Sequence, residues 1–209
     1  MEPVTTANGK VEDAVAALRA GLPVILPTDT VYGLSANPYT EESVRRAYRL
    51  KGRDDQQPSA LVASDVDMLL ECLPELRSRI GAILRSLLPG YLTLVVPNPA
   101  RRYRWLTGST PEKIGVRVPK LPEPAAEVLS RAGSVMATSA NLPGGPDPAR
   151  LEDVPEQILE GCAVVIDGGE LPGVPSTVID LTAESPKVLR EGAVSADEAL
   201  EQVAGLIAE

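Results

Sequence analysis

The sequence predicts a single α/β domain built on a mixed β-sheet, and three observations carry that prediction. Short runs of β-branched and aliphatic residues alternate, irregularly, with segments whose apolar residues recur at helical spacing. Several neighbouring runs lie too close together for a crossover helix, which favours a mixed sheet over a regular doubly wound one. The length of 209 residues suits one large domain with its own core, and 44% hydrophobic with 23% charged side chains is an ordinary globular balance. The domain is expected over residues 8–209, with a loose lead-in before Asn8.

The elements follow in order. Val11, Ala14, Val15 and Leu18 mark a first helix that Gly21 is placed to end. Pro23 to Leu26 reads as a short buried strand entering the polar turn Pro27-Thr28-Asp29-Thr30. Thr40 can cap a second helix, with Glu41 and Glu42 where the helix dipole favours acids and Val44, Ala47, Tyr48 and Leu50 along its apolar side. Ala60 to Ala63 is a strand. Helical patterning returns from Asp65 to Leu88, broken at Pro74 and stopped by Pro89-Gly90. Leu92 to Val96 and Ile114 to Val118 are strands, and a helix near Glu123 to Ala132 follows. Val135 to Thr138, Ala163 to Ile166 and Thr177 to Leu181 complete the predicted strands. Ser195 and Glu198 form a capping box for a last helix carrying Leu200, Val203 and Ile207. Polar, Gly- and Pro-rich stretches at 27–39, 51–59, 139–150 and 167–177 each touch a strand end, where α/β folds gather their sites.

Composition narrows the chemistry. With 20 basic and 29 acidic side chains the formal charge is −9, against the basic excess of a generic nucleic-acid binder, so any phosphate affinity must be focused in one place. The absence of histidine removes Ser-His-Asp and Cys-His catalysis and His-ligated metals, and no metal site is expected. Cys72 and Cys162 read as buried free thiols in a reducing cell. No apolar stretch approaches membrane-spanning length and no secretory signal opens the chain, so a cytoplasmic protein without a membrane partner is expected.

The sequence contains neither a phosphate-binding P-loop nor a Gly-x-Gly-x-x-Gly fingerprint. Gly168-Gly169 and Gly144-Gly145 could offer backbone N–H groups to an anion or simply make turns. Lys51-Gly52-Arg53 lies at a helix end, where two cations either complement the dipole or converge on one anion. Ser139-Ala140-Asn141 follows a strand and either binds a ligand or organises a turn. Arg117, inside Ile114-Gly115-Val116-Arg117-Val118, needs either an anionic ligand or a structural Asp, and Arg190 raises the same question.

Taken together, these segments resemble the YrdC/Sua5 family of threonylcarbamoyl-AMP synthases. The resemblance runs from about residue 11 to residue 195 in seven collinear blocks: PTDTVYGLSANP at 27–38, KGRDDQQP at 51–58, LLPGYLTLVVP at 87–97, IGVRVPKLP at 114–122, TSANLPGGP at 138–146, VVIDGG at 164–169 and STVIDL…VLREGAVS at 176–195. It implies a single YrdC-like domain, with flanking helices and a twisted mixed sheet around a deep groove. Longer members add a carboxy-terminal domain, which this chain is expected to lack. The implied reaction joins L-threonine, bicarbonate and ATP, with Mg²⁺ accompanying the ATP, into threonylcarbamoyl-AMP and pyrophosphate. The product serves N6-threonylcarbamoyladenosine formation at tRNA position 37, completed by downstream transfer proteins; direct tRNA binding by this chain is not expected.

Carried over by position, the resemblance implies that Thr30, Arg117, Ala137 and Ser176 hold threonine. Lys51 and Arg53 would face the triphosphate as the catalytic cations, with Gln57, Ser139, Asn141 and Arg190 around the nucleotide. The chain departs from the family pattern at four places. Gln57 stands where Asn is common, Val62 where His is common, Lys113 where Thr is usual and Asp147 where Ser is usual. Two other readings are a divergent paralogue that makes another carbamoyl-adenylate or hydrolyses ATP, and a non-catalytic RNA-binding module. One Trp, five Tyr and no Phe offer the latter little stacking surface.

Overall fold

The computed structural model describes residues 7–207, so the lead-in expected before Asn8 lies outside the described residues apart from Ala7. Helix α1 (Ala7–Arg19) buries Val11, Ala14, Val15 and Leu18, and Gly21, at φ 75°, turns the chain out of it. Strand β1 (Val24–Pro27) is followed by β2 (Tyr32–Ala36), which corrects the expectation of a continuous loop over 27–39. Its sequence Tyr-Gly-Leu-Ser-Ala lacks a β-branched run, but all five residues are buried between two neighbouring strands. Pairing, not propensity, makes this strand.

Helix α2 (Glu41–Lys51) starts without the expected Thr40 cap: the Thr40 hydroxyl bonds Ser43 Oγ at 2.6 Å and no backbone N–H. It ends at Gly52, whose φ of 68° is the left-handed geometry that favours glycine. Strand β3 (Ala60–Ala63) falls where predicted. The long helical pattern divides into α3 (Val66–Cys72), a 3-10 turn at Pro74–Leu76 and α4 (Arg79–Leu87). Strands β4 (Leu92–Pro97) and β5 (Lys113–Arg117), helix α5 (Ala125–Ala132) and strand β6 (Ser134–Ser139) follow. A short helix α6 (Glu156–Gly161), without a sequence-based expectation, precedes β7 (Val164–Val165) and β8 (Thr177–Asp180). Strand β9 (Lys187–Arg190) and helix α7 (Ala196–Ile207) close the chain, with the Glu198 N–H donating to Ser195 Oγ at 3.3 Å. The Ile207 side chain lies outside the described residues.

The nine described strands form one sheet in the order β7-β1-β2-β6-β3-β5-β4-β8-β9. Pairs β1/β7, β3/β5 and β4/β8 are parallel and the remaining five antiparallel, so the sheet is mixed as predicted.

Because side chains alternate across a strand, each run faces two environments. Leu61, Leu94, Ile114, Val116, Met136 and Ile179 occupy one face and belong to a large core shared with α2, α3, α4 and α7. Burying one such side chain contributes about 1.5–3 kcal/mol. The opposite face is divided. Helices α1 and α5 cover part of it, packing on Val24, Leu26, Val62 and Val135 in a second, smaller core. The remainder, over β3, β4, β5, β6 and β8, is left uncovered and becomes the floor of a groove.

Both cysteines are free; Cys72 is buried and Cys162 half-buried, where burial pushes its thiol up to about 12. Among the described residues no helix is long and apolar enough to cross a membrane.

Candidate functional site

The groove encloses about 580 Å³. Strand register arranges its floor in rows. The middle row is small: Ala137 of β6, Ala60 of β3 and Gly115 of β5 are direct partners in turn, followed by Val95 of β4 and Asp180 of β8. Two residues further along β3 and β5, roughly 6.6 Å away, lie Val62 and its register partner Arg117. Two residues in the other direction lie Lys113 on β5 and Ser139 on β6. Lys113 and Arg117 thus stand roughly 13 Å apart on one strand, with a low saddle of small residues between them.

At the Arg117 end, the β1–β2 turn is tied by Thr28. Its Oγ1 accepts from the Thr30 and Val31 amides, each at 3.2 Å, and lies 2.9 Å from Thr30 Oγ1. This turn presents Asp29 and Thr30 to Arg117, whose Nη2 donates to Asp29 Oδ1 and, at 3.0 Å, to Thr30 Oγ1. The Lys120 amide donates to the other Asp29 oxygen at 2.9 Å. The open alternative for Arg117 therefore resolves partly toward a structural Asp. Its buried Nε, however, has no hydrogen-bond partner, and an unpaired buried donor marks an acceptor that the protein does not supply. Burial pushes the Asp29 carboxyl up and the Arg117 guanidinium down, each against the attraction of the other. Alongside, Thr93 Oγ1 and Ser176 Oγ lie 2.8 Å apart. Arg190 donates from Nη2 to the Ser176 carbonyl at 2.8 Å.

At the other end, Arg53 stacks over the Tyr48 ring at 5.8 Å and donates to the Pro58 carbonyl and, at 3.3 Å, to Thr138 Oγ1. No carboxylate holds it among its described partners. Ser139 lines the groove here and donates to Asn141 Oδ1 at 2.7 Å. Lys113 pairs with Asp180 at 2.9 Å, so this departure from the family pattern arrives with its own counter-ion.

Of the residues expected to bind ligands, Thr30, Arg53, Arg117, Ala137, Ser139, Ser176 and Arg190 line one groove, as do the departures Val62 and Lys113. Three expected neighbours of the nucleotide, Gln57, Asn141 and Lys51, and the departure Asp147 stand off its walls. Gln57 is exposed on the loop after α2, Asp147 is half-buried, and Asn141 turns its side chain to Gly145 O and Lys51. Lys51, expected to face the groove, is 3% exposed and donates into the Ser139–Asn141 segment instead. Burial and the nearby Arg53 charge push its ammonium down to about 8, against the pull of Asp147.

Sequence reasoning passed over Thr93, Thr138 and Asp180. Thr93 was legible as the odd residue between Leu92 and Leu94, on the opposite strand face from the aliphatic core. The Gly144-Gly145 pair makes a turn, its Gly145 amide closing onto Leu142 O at 3.0 Å, whereas the Gly168 and Gly169 amides donate to the Tyr32 hydroxyl at 3.0 Å and to Asp167 Oδ1 at 2.9 Å.

Among the described residues no three His, Cys, Asp or Glu gather as a metal-binding group. The carboxylate on the floor, Asp180, is already committed to Lys113 and Thr182. A divalent ion here would depend on ligand oxygens and water.

Comparison with known proteins gives this geometry a lineage. The curated threonylcarbamoyl-AMP synthase of Pyrococcus abyssi is 34% identical over 199 residues, covering 95% of this chain and 58% of that protein. That of Bacillus subtilis is 30% identical, covering 99% of this chain and 60% of that protein. The chain therefore spans about three fifths of the length of these two relatives. The crystal structure of P. abyssi Sua5 complexed with L-threonine superposes with a TM-score of 0.81 at 32% identity, covering 95% of this chain and 58% of that one. The family model Sua5_yciO_yrdC, described as telomere recombination, matches residues 16–192. With that match spanning nearly the whole sheet and both ends of the groove, the chain belongs to the Sua5/YciO/YrdC family.

Proposed function

We propose that this chain is a nucleotidyltransferase that forms threonylcarbamoyl-AMP and pyrophosphate from L-threonine, bicarbonate and ATP. The observation that carries the reading is Arg117, fixed by Asp29 and Thr30 on the groove floor with its buried Nε unpaired. A ligand carboxylate supplies the missing acceptor, in the paired geometry a guanidinium favours. Thr30, Ala137 and Ser176 line the same groove, and the related Sua5 protein was crystallised with L-threonine.

In this reading the nucleotide occupies the Arg53–Ser139 end, with Arg190 on the far wall and Gln57, Asn141 and Lys51 behind or beside the phosphates. The saddle of Ala137, Ala60 and Gly115 leaves room for the reacting atoms between the two ends. The amine of threonine adds to bicarbonate-derived carbon dioxide to give a carbamate. A carbamate oxygen then attacks the α-phosphorus, and the bond to pyrophosphate breaks. The protein's contribution is to align the reactants and offset growing negative charge with arginines; a carbamate is already anionic and needs no histidine base. Mg²⁺ would enter with ATP, on phosphate oxygens and water. The product would pass to transfer proteins that modify tRNA position 37 in the cytoplasm.

The test is pyrophosphate release by the purified chain. Release that requires threonine and bicarbonate together supports the proposal. ATP hydrolysis indifferent to both, or release driven by another amino acid while threonine is inert, overturns it.

A further inference from the structure

Lys51 is the last residue of α2, and it turns back into the protein instead of outward from the helix end. Its ammonium lies 2.7 Å from the Ser139 carbonyl, 2.5 Å from the Asn141 carbonyl and 2.6 Å from Asn141 Oδ1. An ammonium has three N–H donors and no acceptor. Three acceptors at hydrogen-bond distance consume all three, leaving none for a phosphate.

The acceptors belong to one short segment, 88 to 90 residues away in sequence. That segment is closed upon itself through Asn141. Its Oδ1 takes the Ser139 hydroxyl proton at 2.7 Å as well as the Lys51 ammonium, and its Nδ2 donates to Gly145 O at 2.6 Å. The Ala140 amide is fixed to the Tyr32 carbonyl at 2.9 Å. Two backbone carbonyls converging on one cation would repel each other without it.

From this we infer that Lys51 is a positioning residue that clamps the Ser139–Gly145 loop, and that it is not a phosphate ligand. The clamp fixes what Ser139 offers the groove. Its hydroxyl proton is spent on Asn141, so its oxygen meets a ligand as an acceptor. A ligand N–H or O–H, such as a ribose hydroxyl or an adenine amino group, is then its natural partner, and the phosphates are left to Arg53. This assignment of ligand parts rests on the proposed adenylate chemistry; the clamp itself does not.

The experiment separates the two. Hydrogen exchange is followed by mass spectrometry in ligand-free wild type and Lys51→Met, which keeps the length of the aliphatic stem. The clamp predicts exchange at residues 139–145 at least tenfold faster in the variant, with no nucleotide present. It also predicts that Lys51→Arg, which keeps the charge but cannot fill a three-acceptor cage, loses turnover as Lys51→Met does, while the salt dependence of ATP binding is unchanged in both. A guard against misfolded variants uses wild type alone. Under reductive methylation with formaldehyde at pH 8, Lys51 should stay unmodified without ATP while surface lysines react. Unchanged exchange at 139–145 in Lys51→Met, retention of ATP affinity by Lys51→Arg but not Lys51→Met, or methylation of Lys51 that ATP blocks would each overturn the clamp. If the protein proves inactive as a synthase, the exchange and methylation results still decide the inference.

Discussion

The two ends of the groove hold their cations in different ways. Arg117 is held by a carboxylate, in an ion pair whose two side chains are 11% and 4% exposed. Arg53 is held by carbonyl and hydroxyl oxygens, all uncharged. The difference separates two costs. A charge paired inside the protein is part of the fold, because removing one member strands the other in a poor solvent. A charge resting on neutral dipoles keeps its field for a ligand, and its neighbours can turn to water when it is gone. Binding and stability are therefore coupled at the Arg117 end and separable at the Arg53 end.

The largest effect tests that coupling directly. Arg117→Ala leaves the Asp29 carboxylate buried without its guanidinium, and the variant should lose about 3–5 kcal/mol of unfolding free energy together with all threonine-dependent pyrophosphate release. Denaturant titration and the release assay check both halves, and an active variant of near-native stability would break the comparison. Arg53→Ala should come next, with an activity loss of 100-fold or more but a stability loss of about 1 kcal/mol or less, the scale of one stacked, partly exposed cation. Stability losses of equal size at the two ends would show that the distinction is not physical.

The smallest effect concerns pH. The Lys51 ammonium is depressed from 10.5 to about 8 in the folded protein by burial and by Arg53. The unfolded chain thus binds a proton that the folded one has released between these values, and stability rises with pH across that window. Relative to Lys51→Met, wild type should gain stability as pH climbs from about 8 to 10.5 and lose that gain as pH falls back through 8. Unfolding curves at pH 7, 8.5 and 10 measure it. Arg117 has no such window, because a guanidinium stays protonated throughout.

Much of the fold could be read from local pattern. β3 and the break at Pro74 follow from a short aliphatic run and proline stereochemistry, and both fall where expected. Strand β2 could not be read this way: a Tyr-Gly-Leu-Ser-Ala segment becomes a strand through its neighbours, one of which lies a hundred residues or more away. The site divides similarly. That Arg117 must have a partner was legible from its place in an apolar strand, but Asp29 lies 88 residues away and nothing local selects it. Lys51 shows the opposite failure. Its motif suggested a ligand contact, whereas the acceptors that consume its donors come from a loop that only the folded sheet brings near. The alignment of Ala137, Ala60 and Gly115 is a matter of register, invisible until three strands are side by side.

That alternation of strand faces carries a consequence for how the protein can change. Each floor strand carries two interleaved messages, one in its odd positions and one in its even. Leu61 and Ile114 speak to the large core, whereas Lys113 speaks to the groove and Val62 to both the groove and the smaller core beside it. Both departures from the family pattern on these strands fall in the second message, and the first is left intact. A lineage can therefore drift in what it accepts as substrate, one letter at a time, without renegotiating the large core that keeps it folded.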